Sequence, residues 1–126
     1  MDDPLMNTPG QAPVRRYPRM NADYVVAYHR QLPGGGETEA QFSRTQTLGL
    51  GGLMFECETA LDHGETLRME IVFGDRTIKA TGVVVYVDRE GDGLWRNGVQ
   101  FTEISADDRD VLLGAYLQQE YRIDPA

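Results

Sequence analysis

Cysteine is all but missing from this chain: its 126 residues hold one, Cys57, so no internal disulfide can form. That count fits a reducing, cytoplasmic setting. The two histidines, His29 and His63, stand far apart and have no cysteine partners at metal-ligand spacing, so no metal or cofactor is expected. No apolar run approaches the ~20 residues of a membrane helix, and the opening MDDPLMNTPGQAP lacks the apolar stretch of a secretory signal. Positive charge is scarce: 12 Lys and Arg stand against 20 Asp and Glu, a net charge of −8. Such a balance argues against a nucleic acid polymer or an anionic membrane surface as partner. No nucleophile–base pair or clustered acid–base set is visible, which argues against an enzyme. The glycine loop 33–36 lacks the Lys-Ser/Thr of a phosphate-binding loop, and the acidic loop 88–93 lacks the ligand spacing of a calcium site.

The scarce positive charge is gathered in one place. Residues 14–19 read VRRYPR, with Arg15, Arg16 and Arg19 and no acid among them. A local cationic cluster on an acidic protein suits a small, specific anion better than a polyanion; a plain solvated arm is the alternative reading. Residues 1–13, rich in Pro, Asn, Gln and Gly, read as a flexible leader, and residues 122–126 as a tail.

Between them the pattern has a period of two up to about residue 104. Strands are expected over 22–31, 39–48, 53–58, 66–73, 76–88 and 95–104. The alternation predicts Phe42, Gln46 and Leu48 on one face of the second strand, with Ser43, Thr45 and Thr47 on the other. Leu53, Phe55 and Cys57 share a face, as do Leu67, Met69, Ile71 and Phe73. Ile78, Ala80, Val84 and Tyr86 are expected inward, and so are Val99 and Phe101. Gly74-Asp75 has hairpin composition. The period then becomes helical. Ser105 precedes Ala106-Asp107-Asp108 as an N-cap before an acidic first turn, Val111, Leu112, Ala115 and Tyr116 recur at helical spacing, and the helix should end near Tyr121. Six short strands followed by one helix predict a mainly β fold, a six-stranded antiparallel barrel with a C-terminal α-helix, occupying about 14–121. So small a barrel is packed inside, which places any ligand on its outer surface or mouth.

Two stretches carry candidate ligand chemistry. A guanidinium is a planar fork that grips a phosphate or the O6/N7 edge of guanine and stacks on a base, and Tyr17-Pro18 stiffens the span between Arg15 and Arg19. In TLGLGGLMF (47–55), alternation turns Leu48 and Leu50 inward and Thr47 and Gly49 outward, and the glycines at 49, 51 and 52 allow close approach. A plain β-bulge or barrel corner would use the same residues. Trp95, the lone tryptophan, offers a face for base stacking, although a single tryptophan more often packs.

Taken together, these residues resemble the PilZ domain family. That family carries an RxxxR motif on an N-terminal arm, a (D/N)xSxxG motif about thirty residues on, and a GxxF-like segment in the last barrel strand. Arg15 and Arg19 match the first, Gly52 ends the second, and Gly98-Val99-Gln100-Phe101 matches the third. The resemblance covers about 14–121 and implies a receptor for cyclic di-GMP, bound by Arg15, Arg16 and Arg19 with Thr47, Gly49, Gly52 and Gly98, and Trp95 as a stacking surface. It further implies that the arm closes over the ligand and relays the signal to an unidentified protein effector, in motility, exopolysaccharide synthesis or transcription. Thr47 stands at the Asp/Asn position and Gly49 at the Ser position. Loss of both side chains predicts affinity weakened by about one to three decades. A module that binds no nucleotide and works by protein contact is the alternative. The sequence leaves open whether the helix packs on its own barrel or forms a homodimer with a second copy.

Overall fold

The β-branched and aromatic runs become strands because alternate residues find a common interior. The computed structural model describes the backbone of residues 19–21 and 23–121, with side chains over 23–117. The elements are β1 (Arg19–Asn21), β2 (Val25–Arg30), β3 (Gln41–Gly49), β4 (Gly52–Cys57), β5 (Thr66–Phe73), β6 (Arg76–Gly91), β7 (Leu94–Ile104) and α1 (Ala106–Tyr121). The expected leader 1–13 and tail 122–126 lie outside the described residues.

Every pairing is antiparallel, in the order β1-β3-β2-β5-β6-β7-β4, and β3 also pairs β4. That last pairing closes β2 to β7 into the six-stranded barrel expected from the sequence. The short β1 is an addition the sequence reading did not contain. Thr47 and Leu48 pair with β1 on one edge of β3 and with β4 on the other.

Inside the barrel lie Val26, Tyr28, Leu48, Leu53, Phe55, Leu67, Met69, Ile71, Ile78, Val84 and Val99, all at most 3% exposed. Tyr28 and Phe55 stack tilted, with centroids 4.9 Å apart. The helix adds the fully buried Leu112. Its start is set as expected, with Asp108 N donating to Ser105 Oγ at 3.0 Å. Asp108 Oδ2 in turn accepts from Lys79 N, and Arg109 Nη1 donates to Leu50 O at 3.3 Å, pinning the first turn to β6 and to the β3–β4 corner.

Bulges overturn two facing expectations. The β3–β4 register slips between Thr45 and Thr47, leaving Gln46 as the extra residue. Parity therefore reverses along β3: Thr45 is buried at 3% and Phe42 is 71% exposed, the opposite of the alternation. Thr45 is tolerated inside because its Oγ1 accepts the Tyr24 N–H at 2.9 Å. On β6 the slip between Val84 and Tyr86 bulges Val85, so Val87 packs on the core and Tyr86 turns outward.

One ion pair ties β2 to the loop before β5. Arg30 Nε and Nη2 donate to Glu65 Oε2 and Oε1 at 2.6 and 2.9 Å, and Glu65 Oε1 also accepts the Asp62 N–H at 2.7 Å. Burial raises the Glu65 carboxyl, but Arg30 and the Asp62 N–H more than reverse this and hold it below its ordinary value. A lowered folded pKa contributes stability that is present above the unfolded pKa and is lost as pH falls through the folded value. Glu65→Gln should therefore flatten the fall in melting temperature below the ordinary glutamate pKa of 4.5. Arg30→Ala should cost about 2 kcal/mol at pH 7 by urea unfolding.

Candidate functional site

The chain upstream of β2 comes to rest on β3. Arg19 pairs with Gly49, Met20 with Leu48 and Asn21 with Thr47. The last arginine of the cationic cluster thus stands, by backbone register, at the glycine expected to line the ligand. Arg15 and Arg16 lie outside the described residues. Gly49 is buried and Thr47 half-buried.

A continuous row runs outward from this junction. Asn21 pairs with Thr47, Thr47 with Met54, Met54 with Gly98 and Gly98 with Tyr86, crossing five strands. Leu48, Leu53, Phe55, Asn97 and Val99 beside these positions point into the barrel, so the row lies on the outer face. Gly98 leaves a shallow place in it. A Cβ there would sit 3.0 Å from Tyr86 Cβ and 3.9 Å from Met54 Cγ. Tyr86 is held by its hydroxyl on Asp88 Oδ2 at 3.3 Å; burial first, and then the Asp88 carboxylate, push its phenol upward.

The next row holds Glu56, Arg96 and Asp88. Arg96 Nη2 donates to Glu90 Oε2, so its charge is already compensated. Among the described residues three buried side-chain polar atoms have no partner: Gln46 Oε1, at the β3 bulge, Arg96 Nε, and Asn97 Oδ1, next to Gly98.

Gly52 has a different cause. A Cβ at this position would lie 2.0 Å from Val99 O, on the backbone of β7. Glycine here is demanded by barrel closure. Trp95 lies three residues from Gly98 along β7, roughly 10 Å at ~3.3 Å per residue, and five register steps from the Gly52–Gln100 pair; it pairs with Cys57. There Arg89 covers its ring, with Cζ 5.8 Å from the centroid.

The structure therefore brings the end of the first expected motif, Arg19, to the middle of the second, Gly49, and aligns Thr47 with Gly98; it does not bring Trp95 to them. Sequence reasoning missed Tyr86 and Met54 as neighbours of Gly98. In VVVYVD (83–88) nothing marks the bulge that turns Tyr86 outward.

A closed antiparallel barrel with a packed interior, its β3 edge extended by the short β1, leaves its outer surface rather than its interior for any ligand. The PilZ domain model matches residues 13–119, and the chain belongs to the PilZ domain family. Solved structures agree in fold. The Bacillus subtilis inhibitor of motility, MotI/DgrA, superposes with a TM-score of 0.73 at 20% identity, over 87% of this chain and 53% of that one. The PilZ domain of YcgR from Escherichia coli, solved with cyclic di-GMP, gives 0.61 at 19% identity, over 89% and 98%. The PilZ domain of CeSA from a cellulose-synthesizing bacterium gives 0.56 at 15%, over 82% and 98%. The chain spans about half the length of MotI/DgrA. No protein of curated function matches. No described helix is long and apolar enough to cross a membrane, and no described group of three or more His, Cys, Asp or Glu could hold a metal.

Gly52→Ala should destabilise the barrel by about 3 kcal/mol in urea unfolding, because the clash is with backbone and cannot be relieved by a rotamer change. Gly98→Ala should cost less than half of that, since Tyr86 and Met54 can give way.

Proposed function

We propose that this chain is a cyclic di-GMP receptor module that relays occupancy to a protein partner. The observation that carries the reading is the β1–β3 register, which sets Arg19 opposite Gly49 and Asn21 opposite Thr47. Guanidinium forks from the arm would grip phosphate and guanine, while Thr47 offers a hydroxyl to a base edge. Family membership supports the ligand class, as does the YcgR PilZ domain solved with the same nucleotide. The cytoplasm, where this messenger would be met, suits a chain whose one cysteine is free. No step of this function needs a cofactor or a catalytic group.

Thr47 and Gly49 favour a second reading, a PilZ module that works through protein contact without nucleotide. Calorimetry with cyclic di-GMP separates the two. Under the receptor reading, binding is saturable and Arg15→Ala/Arg19→Ala abolishes it. A folded wild type that gives no heat at high ligand concentration leaves only the second.

The weakness of the second motif is itself testable. Gly49 is not among the glycines in the left-handed region, so a serine fits its backbone. Thr47→Asp/Gly49→Ser should tighten cyclic di-GMP binding by about tenfold or more, because a charge-assisted acceptor and a hydroxyl are restored. Unchanged affinity in the folded double variant would place the nucleotide elsewhere.

A further inference from the structure

The barrel is not equally closed along its β3–β4 seam. Registered pairing between these strands ends at Thr45 and Phe55. Beyond it, Ser43 Oγ rather than backbone reaches Glu56 O. Thr45 N donates to Tyr24 O, toward the β2 edge. Backbone groups alternate in direction along an antiparallel strand, so Phe42 and Arg44 present their N–H and C=O toward the seam. The Thr45–Phe55 pair uses the seam-side groups of Arg44, so Phe42 is the strand residue left without a register partner on β4.

The seam widens into a groove of about 580 Å³, within the ~300–1,000 Å³ range of ligand clefts. Phe42 and Leu94 line it and are 71% and 38% exposed, the first being the most exposed large apolar side chain described. The opposite wall carries Glu56 and Glu58, neither of which enters an ion pair among the described residues. The one cation in the groove, Arg44, is taken by Asp23 at 2.6 Å. The groove thus combines an unpaired edge at Phe42, an apolar patch and two carboxylates outside any described ion pair. An open edge is a template for a further strand, and the charge selects what that strand carries.

We propose that this groove receives an extended segment of a protein partner, paired to the open backbone at Phe42, with an apolar side chain against Phe42 and Leu94 and Lys or Arg side chains against Glu56 and Glu58. The inference deepens the relay half of the function above and stands independently of nucleotide binding. The groove opens beside Cys57, at the end of β4 away from Gly52, so peptide and nucleotide would occupy different ends of the barrel.

The probe is a short, capped peptide of alternating valine and lysine, titrated without nucleotide into the full chain and followed by backbone amide chemical shifts. Saturable shifts confined to residues 41–44, 56–59 and 94 are expected. Phe42→Ser and Glu56→Gln/Glu58→Gln should each weaken binding about tenfold, with the rest of the spectrum unchanged as proof of folding. The same peptide with a central proline, or with glutamate for lysine, should leave the spectrum unmoved. No shifts at millimolar peptide, or equal shifts from the glutamate or proline peptide, would overturn the proposal. So would movement of the same amides with protein concentration alone, which would assign the groove to a second copy. Because cyclic di-GMP is titrated separately by calorimetry, failure here removes the groove and leaves the nucleotide reading standing or falling by its own measurement.

Discussion

Closure at one crossing holds this barrel together. Where β4 begins, its backbone lies so close to β7 that a methyl group at Gly52 would sit 2.0 Å from the Val99 carbonyl oxygen. A barrel of this size can be filled by side chains only if its strands coil tightly, and tight coiling needs a place where two backbones nearly touch. From that crossing follow the Gly51 carbonyl that accepts the Phe101 N–H at 2.8 Å and the seat of Leu53 in the core. Gly52 is thus a poor witness for nucleotide binding. The residue that ends the second PilZ motif would be required here with or without a ligand.

The chemistry of the outer shelf is divided between scaffold and arm. The barrel supplies shape: Gly98 between Met54 and Tyr86, and Thr47 at the head of the row. Its own cation there, Arg96, is already bound to Glu90. On a chain of net charge −8, three of the twelve Lys and Arg residues fall within positions 15–19.

Much of the fold was legible because burial imposes a strict period. Thr66–Phe73 is bounded as expected, with Leu67, Met69 and Ile71 inside, and the helix runs from its Ser105 cap to Tyr121. What was not legible came from single-residue slips. A bulge changes parity without changing composition, so Gln46 and Val85 look like any other strand residues, yet they reverse the facing of Phe42 and Tyr86. The same limit hid β1, since three residues at Arg19–Asn21 carry no period to read. At the candidate site, the resemblance to the PilZ motifs grouped Arg19 with Gly49, and the backbone register pairs those two positions. Trp95 was drawn to the site by its chemistry, and the strand it occupies carries it to the far end.

The corner beside Gly49 is assembled from parts remote in the chain. β1 pairs along it, residues 49–52 turn through it, and Arg109 of the helix reaches the Leu50 carbonyl across 59 residues. Such a corner cannot form while the chain is partly made, since its last contribution follows the final strand. Loop-closure entropy also places contacts of this span late on the folding path. A chain emerging from the ribosome would therefore lack this corner until nearly all of the domain had been synthesised. The corner and the finished fold become the same event.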